Sequence, residues 1–169
     1  MLVKFTKKQR MKNPLVFSFV LMLLATVACK KDDNKKSPDE QAVELITSTS
    51  WKIDTIGLDT DGNNEIDAEL PYPFSACQKD DILTFSSDST GNYGEGASKC
   101  EVTDPDNTPF NWMFKATNTI INIDGDLNVL LTGDVDVIEL KDNSLKLAKT
   151  VNTGGLYPAG TKAVGHFKK

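Results

Sequence analysis

The stretch DVDVIELKDNSLKLAK, residues 134–149, reads as two short strands around a tight turn. In SLKLAK, Leu145 and Leu147 alternate with lysines, the period-two pattern of a half-buried strand. Lys141, Asp142 and Asn143 between the runs supply turn chemistry, so the segment predicts a hairpin. The same grammar extends in both directions. WKIDT sets Trp51 and Ile53 on one face, ILTFSS does so with Leu83 and Phe85, and KAVGHFKK makes a final strand. DGD (Asp124 to Asp126) and TGD (Thr132 to Asp134) are further turns that pair sequence neighbours.

Strand-like runs are TSWKIDTI, DILTFSS, TGNYGEG, FNWMFKAT, TIINI, NVLLT, DVDVIEL, SLKLAK and the C-terminal run. A meander of that size avoids exposed edges by closing on itself. The expected fold is therefore all-β: a small up-and-down antiparallel barrel of about eight strands, with a two-sheet β-sandwich as the alternative. A short helix over residues 37–47 precedes it. Ser37 is the N-cap, Pro38 the first helical position and Glu40 the partner in a capping box, while Ala42, Val43, Leu45 and Ile46 give the helix an apolar side.

The first 28 residues belong to a different kind of segment. Lys4, Lys7, Lys8, Arg10 and Lys12 precede the acid-free run PLVFSFVLMLLATVA, which is too short for a spanning helix and reads as an export signal. Its end, TVAC (Thr26 to Cys29), resembles the lipobox of bacterial lipoproteins, which implies lipidation at Cys29 and attachment to a membrane through that lipid. Residues 29–36 form a charged tether with nothing to bury. Its KKDD resembles the lysine-acid signals that route some Gram-negative lipoproteins to the outer face of the outer membrane. The implied location is the outer membrane, at the cell surface or on the periplasmic face.

All 24 acids lie beyond the signal and five of the 19 basic residues lie within it, so the mature chain carries a net charge near −10. Such a surface repels nucleic acid. In an exporting compartment Cys77 and Cys100 form an even pair beside Cys29, for which a disulfide is the default and a two-cysteine metal site the rival.

WKIDTI, CQKDDILTFSSDSTGNYGEGASKC and FNWMF, followed by late hairpins and a basic C-terminus, resemble the lipocalin-like domain of bacterial lipoproteins over about residues 48–169. The resemblance implies a small barrel, a disulfide bracing one strand pair, and usually no known activity. Thr49 stands where the animal-type signature Gly-x-Trp has glycine, so ligand chemistry of that type does not carry over.

DTDGNNEIDAEL, residues 59–70, has the donor spacing of a Ca²⁺ loop: Asp59, Asp61 and Asn63 at the first, third and fifth places, the Glu65 carbonyl at the seventh and Asp67 at the ninth. Asn64 occupies the place of the turning glycine and Leu70 that of the bidentate glutamate, leaving Glu69 or an acid from a neighbouring loop to complete the shell. The rival reading is an acidic connecting loop.

No nucleophile elbow, phosphate loop or HExxH is present, and Asp80 and Asp81, as strand neighbours, point to opposite faces. The lone His166 between strand residues reads as a surface or packing group, so no enzyme is expected. Trp51, Phe85, Phe110, Trp112 and Phe114 either line a cavity for an apolar ligand or fill it. Function classes that remain are a binding or surface-interaction module, a structural envelope component, and a calcium-dependent adhesin or carbohydrate-binding module, with Tyr72 and Phe74 beside the acidic loop.

Overall fold

The computed structural model describes residues 36–70, 75–128 and 130–169. The signal segment, Cys29, the tether up to residue 35, and Tyr72 and Phe74 lie outside the described residues. Helix α1 covers Pro38–Thr47, and the expected capping box is formed: Glu40 N donates to Ser37 Oγ (3.2 Å) and Ser37 N to Glu40 Oε2 (2.7 Å). This arrangement satisfies two amides that the first turn would otherwise leave open.

Eight strands follow: β1 (Ser50–Asp59), β2 (Ile82–Phe85), β3 (Thr90–Gly94), β4 (Asn107–Lys115), β5 (Ile120–Asp124), β6 (Gly133–Lys141), β7 (Ser144–Thr150) and β8 (Lys162–Lys168). Each pairs antiparallel with its sequence neighbour, and β1 pairs with β8, so the sheet is a closed barrel rather than a sandwich. Lys141 faces Ser144 across the expected Asp142–Asn143 turn. Bulges between Ile53 and Thr55 and between Val137 and Glu139 shift the register on either side of them. After the first, Leu58 points into the core and Gly57 turns outward, where the Ile66 side chain lies where a Cβ would be.

Nine runs were expected and eight are strands. The run Asn128–Thr132 is the exception: its described residues make a turn in which Asn128 Oδ1 accepts from Leu130 N (3.1 Å) and Leu131 N (3.2 Å). A side chain that binds its own backbone removes those amides from a ladder. The DGD and TGD motifs are consequently the two ends of a single β5–β6 connection, and Leu130 and Leu131 are buried beneath it. A Cβ on Gly165 would lie 2.7 Å from Leu130 Cδ2, so this connection reaches inward to β8.

Alternate residues fill the barrel: Trp51, Leu83, Phe85, Phe110, Trp112, Ile121, Ile123, Leu145, Leu147 and Phe167 are all buried. Phe85 stands edge-on to Phe110 and Trp112 at ring distances of 5.5 and 5.3 Å, and Trp112 to Phe114 at 5.4 Å. Edge-to-face contact is the favoured packing of aromatic quadrupoles. These residues therefore pack against one another. Trp112 Nε1 donates to the carbonyls of Ser86 (3.1 Å) and Thr90 (2.9 Å), and Trp51 Nε1 to Ile46 O (2.9 Å), tying α1 over one end of the barrel.

The aromatic layer has a backbone requirement at Gly91, paired with Phe85 and Phe110. A Cβ there would stand 2.1 Å from Phe110 Cζ and 2.8 Å from Thr84 O. Gly91→Ala is expected to cost about 1–3 kcal/mol by overpacking, read as a lower urea midpoint at unchanged slope. An unchanged midpoint would show that the Phe110 ring is not fixed there.

Candidate functional site

The β1–β2 loop begins where β1 ends, at Asp59, and returns to the strand. Leu58 N donates to Ala68 O (2.8 Å) and Ala68 N to Leu58 O (3.1 Å), so residues 59–67 form a closed excursion. Asp59 is 1% exposed at its base. Its Oδ1 accepts from Asp61 N (3.2 Å) and Gly62 N (2.7 Å), and its Oδ2 from Asn64 N (2.9 Å). Burial works against ionisation of this carboxyl, yet the backbone amides of Asn64, Gly62, Asp61 and Asn63 together outweigh it and hold the acid below the usual carboxylate range.

Asn64 has φ 63° and Gly62 φ 85°, the left-handed conformations that curl the chain round Asp59. The result brings carboxylate oxygens of Asp59, Asp61 and Asp67 within 4.8 Å of one another. Asn63 turns back on the loop, donating to Asp61 Oδ2 (3.2 Å) and accepting from Glu65 N (2.6 Å). Glu65 is outside the carboxylate group. Leu70, at the place of a bidentate glutamate, packs instead against the barrel core.

What the sequence did not reveal is that this loop folds over the outside of the barrel. Lys146 on β7 reaches Glu65 Oε1 (2.6 Å), and Lys162 at the start of β8 reaches Asn64 Oδ1 (3.2 Å) and Asp136 Oδ2 (3.0 Å). The Glu65 and Asn64 contacts span 81 and 98 residues, so no local signal announces them. Under the loop, Ala148 and Val164 are fully buried although they alternate with interior residues. His166 lies between Thr55 and Lys146 in the register; burial, then Lys146, lower its pKa, and Glu65, Asp54 and Glu139 act in the opposite sense. Its side chain lies on the outer face, and its Nε2 is buried without a hydrogen-bond partner among the described residues.

A second constellation lies on the same end of the barrel. A short 3₁₀ turn (Ala76–Asp80) carries Cys77, which is disulfide-bonded to Cys100 with Cα atoms 5.2 Å apart. This disulfide fastens the β1–β2 loop to the β3–β4 loop. Asp80 and Asp81 straddle the end of the 3₁₀ turn rather than lying on a strand, and both serve the β3–β4 side: Asp80 Oδ2 accepts from Ser98 N (3.1 Å), and Asp81 Oδ2 accepts from Tyr93 Oη (2.5 Å). Burial, then the Asp81 carboxylate, drive the Tyr93 hydroxyl far above its ordinary value, so it remains a donor. Burial and the charge of Asp81 likewise raise Glu95. These acids act on loop amides and a phenol, an arrangement that holds loops in place.

The domain is a closed eight-stranded antiparallel barrel with long braced loops at one end, an architecture that suggests a binding-type domain. Residues 47–147, more than half of the chain, match the family model described as the lipocalin-like domain, and the chain belongs to that family. The match ends within β7, and the structure carries the barrel on through β8. Comparison with curated proteins finds no match.

Asp59 links the loop to pH. Its folded-state pKa is lowered, so the stability it contributes is complete above the unfolded-state value near 3.9 and is lost as pH falls through the lower folded value. Asp59→Asn should therefore be less stable than wild type by about 1–2 kcal/mol at pH 7, with the gap closing below about pH 4. Urea midpoints across pH 3–7 measure this, and a pH-independent gap would assign the loss to shape instead of charge.

Proposed function

We propose that the protein is a lipid-anchored lipoprotein of the outer membrane, at the cell surface or on its periplasmic face, whose lipocalin-like domain is a non-enzymatic binding or interaction module. The observation that carries the binding reading is the disposition of the polar groups on this barrel. Asp59, Asp81 and Lys146 are engaged with backbone amides, a tyrosine and a loop glutamate, contacts that shape surfaces. The anchoring reading rests on TVAC and the charged tether.

Metabolic labelling with a palmitate analogue tests the anchor: wild type is expected to take the label and Cys29→Ser to lose it, and equal labelling would refute it. Native mass spectrometry of the exported Cys29→Ser chain tests binding, with a co-purifying small molecule expected. An empty domain would favour a structural envelope component.

The convergence of Asp59, Asp61 and Asp67 favours a second property, weak Ca²⁺ binding at the acidic loop, as in an adhesin or carbohydrate-binding module. Asp59 is already positioned by amides, so a cation would relieve the repulsion among carboxylates held within 4.8 Å. Calorimetric titration should give a Kd of roughly 10⁻⁴–10⁻³ M, lost in Asp61→Asn. Neither heat nor a rise in Tm at millimolar Ca²⁺ would remove this property.

A further inference from the structure

At the helix end of the barrel, opposite the acidic loop, two adjoining depressions of about 540 and 260 Å³ run between α1 and the β2–β3 and β4–β5 turns, sharing Asp39, Val43 and Ser87. Both are open to solvent. Val43, Trp112, Met113 and Phe114 provide an apolar wall. Met113 faces out of the barrel and is 55% exposed, so it belongs to the surface and not to the core.

The other wall is acidic. Asp39, Glu40 and Glu44 of α1 all line it, with Glu40 and Glu44 one turn apart. Each commits one carboxylate oxygen to a neighbour: Asp39 Oδ1 to Asn118 Nδ2 (2.7 Å), Glu40 Oε2 to Ser37 N (2.7 Å) and Glu44 Oε1 to Lys36 Nζ (2.6 Å). Among the described residues the second oxygen of each has no side-chain partner. Lys36 shows what this wall accepts, since its own ammonium sits at the rim against Glu44.

Backbone strain marks the same place. Ala116, Thr117 and Asn118 have φ of 49°, 55° and 66°, consecutive residues with a Cβ in the left-handed region. Such conformations concentrate at binding sites and persist where the surroundings enforce them. Here they bring Asn118 to Asp39 at the groove edge.

We propose that this groove binds a long-chain primary ammonium amphiphile, its chain along Val43, Met113 and Phe114 and its head group on the acidic face of α1. The inference rests on the reading of the domain as a binding module, but places the site outside the barrel. Three acids against one lysine disfavour a fatty acid, and the three donors of an ammonium suit several carboxylate oxygens.

The test uses the full mature chain carrying Cys29→Ser, so that its outcome is independent of anchoring. Decylammonium is titrated below its micelle concentration by calorimetry and tryptophan fluorescence, with decanol and decanoate as chain-matched controls. One-to-one saturable binding of decylammonium is expected, with decanol weaker and decanoate weakest.

Asp39→Asn, which keeps an acceptor for Asn118, should weaken decylammonium about threefold and leave decanol unchanged. Lys36→Gln should tighten decylammonium by a similar factor by vacating Glu44. Met113→Ala should weaken decylammonium and decanol alike, about fivefold. Equal binding of decanoate, or affinity indifferent to Asp39→Asn, Lys36→Gln and Met113→Ala, would overturn the site while leaving the binding reading to the mass-spectrometric result. Absence of any decylammonium binding would also overturn it.

Discussion

The pairing of β1 with β8 is the constraint on which the rest of the structure depends. It joins Lys52–Asp59 to Lys162–Lys168, partners roughly 100 residues apart, so the loop-closure entropy of nearly the whole domain is met at this one seam. Once closed, the sheet has no edge to protect. The seam also makes the interior, because it sets Phe167 beside Ile53 and, through β7, beside Leu145. On its outer side it creates the ledge of Gly57 and Val164 on which the acidic loop rests. Without the seam the Lys162 contact to Asn64 has no geometry to form.

A barrel of eight strands is near the size at which side chains alone can occupy the lumen, and this one uses large ones. Trp51, Phe85, Phe110, Trp112 and Phe167 enter from different strands, and Leu130 and Leu131 come in from the β5–β6 connection. Edge-to-face contacts at 5.3–5.5 Å leave the aromatic layer little freedom to open. Polar chemistry on such a domain is confined to its outside and its two ends. That is where the acidic residues are found, and where they are held by amides, lysines and a disulfide.

Much of this was legible in the sequence, and the reason differs from element to element. Alternation in SLKLAK and the Asp142–Asn143 turn encode a local hairpin, and the Ser37–Glu40 box encodes a helix start, because those interactions close within a few residues. Cys77 and Cys100 were legible because few partners were available. Asn128–Thr132 misled because its leucines are as apolar as a strand's, while one asparagine side chain captures the amides a strand would need. The acidic loop was readable in its donors but not in its setting. Leu70 looks like a defect in a metal loop and is a core contact, and Lys146 and Lys162 reach the loop from strands at the far end of the chain.

The two ends of the barrel are unlike. At the α1 end the β2–β3, β4–β5 and β6–β7 connections are tight, spanning 86–89, 116–119 and 142–143; at the other the loops 60–81, 95–106, 125–132 and 151–161 are long. Lys36 and α1 belong to the tight end. The proposed groove lies beside α1 at the tight end, and the disulfide-braced acidic loops lie at the other. The two proposed binding properties then occupy opposite ends and meet different partners, so a chain with one filled remains free to use the other.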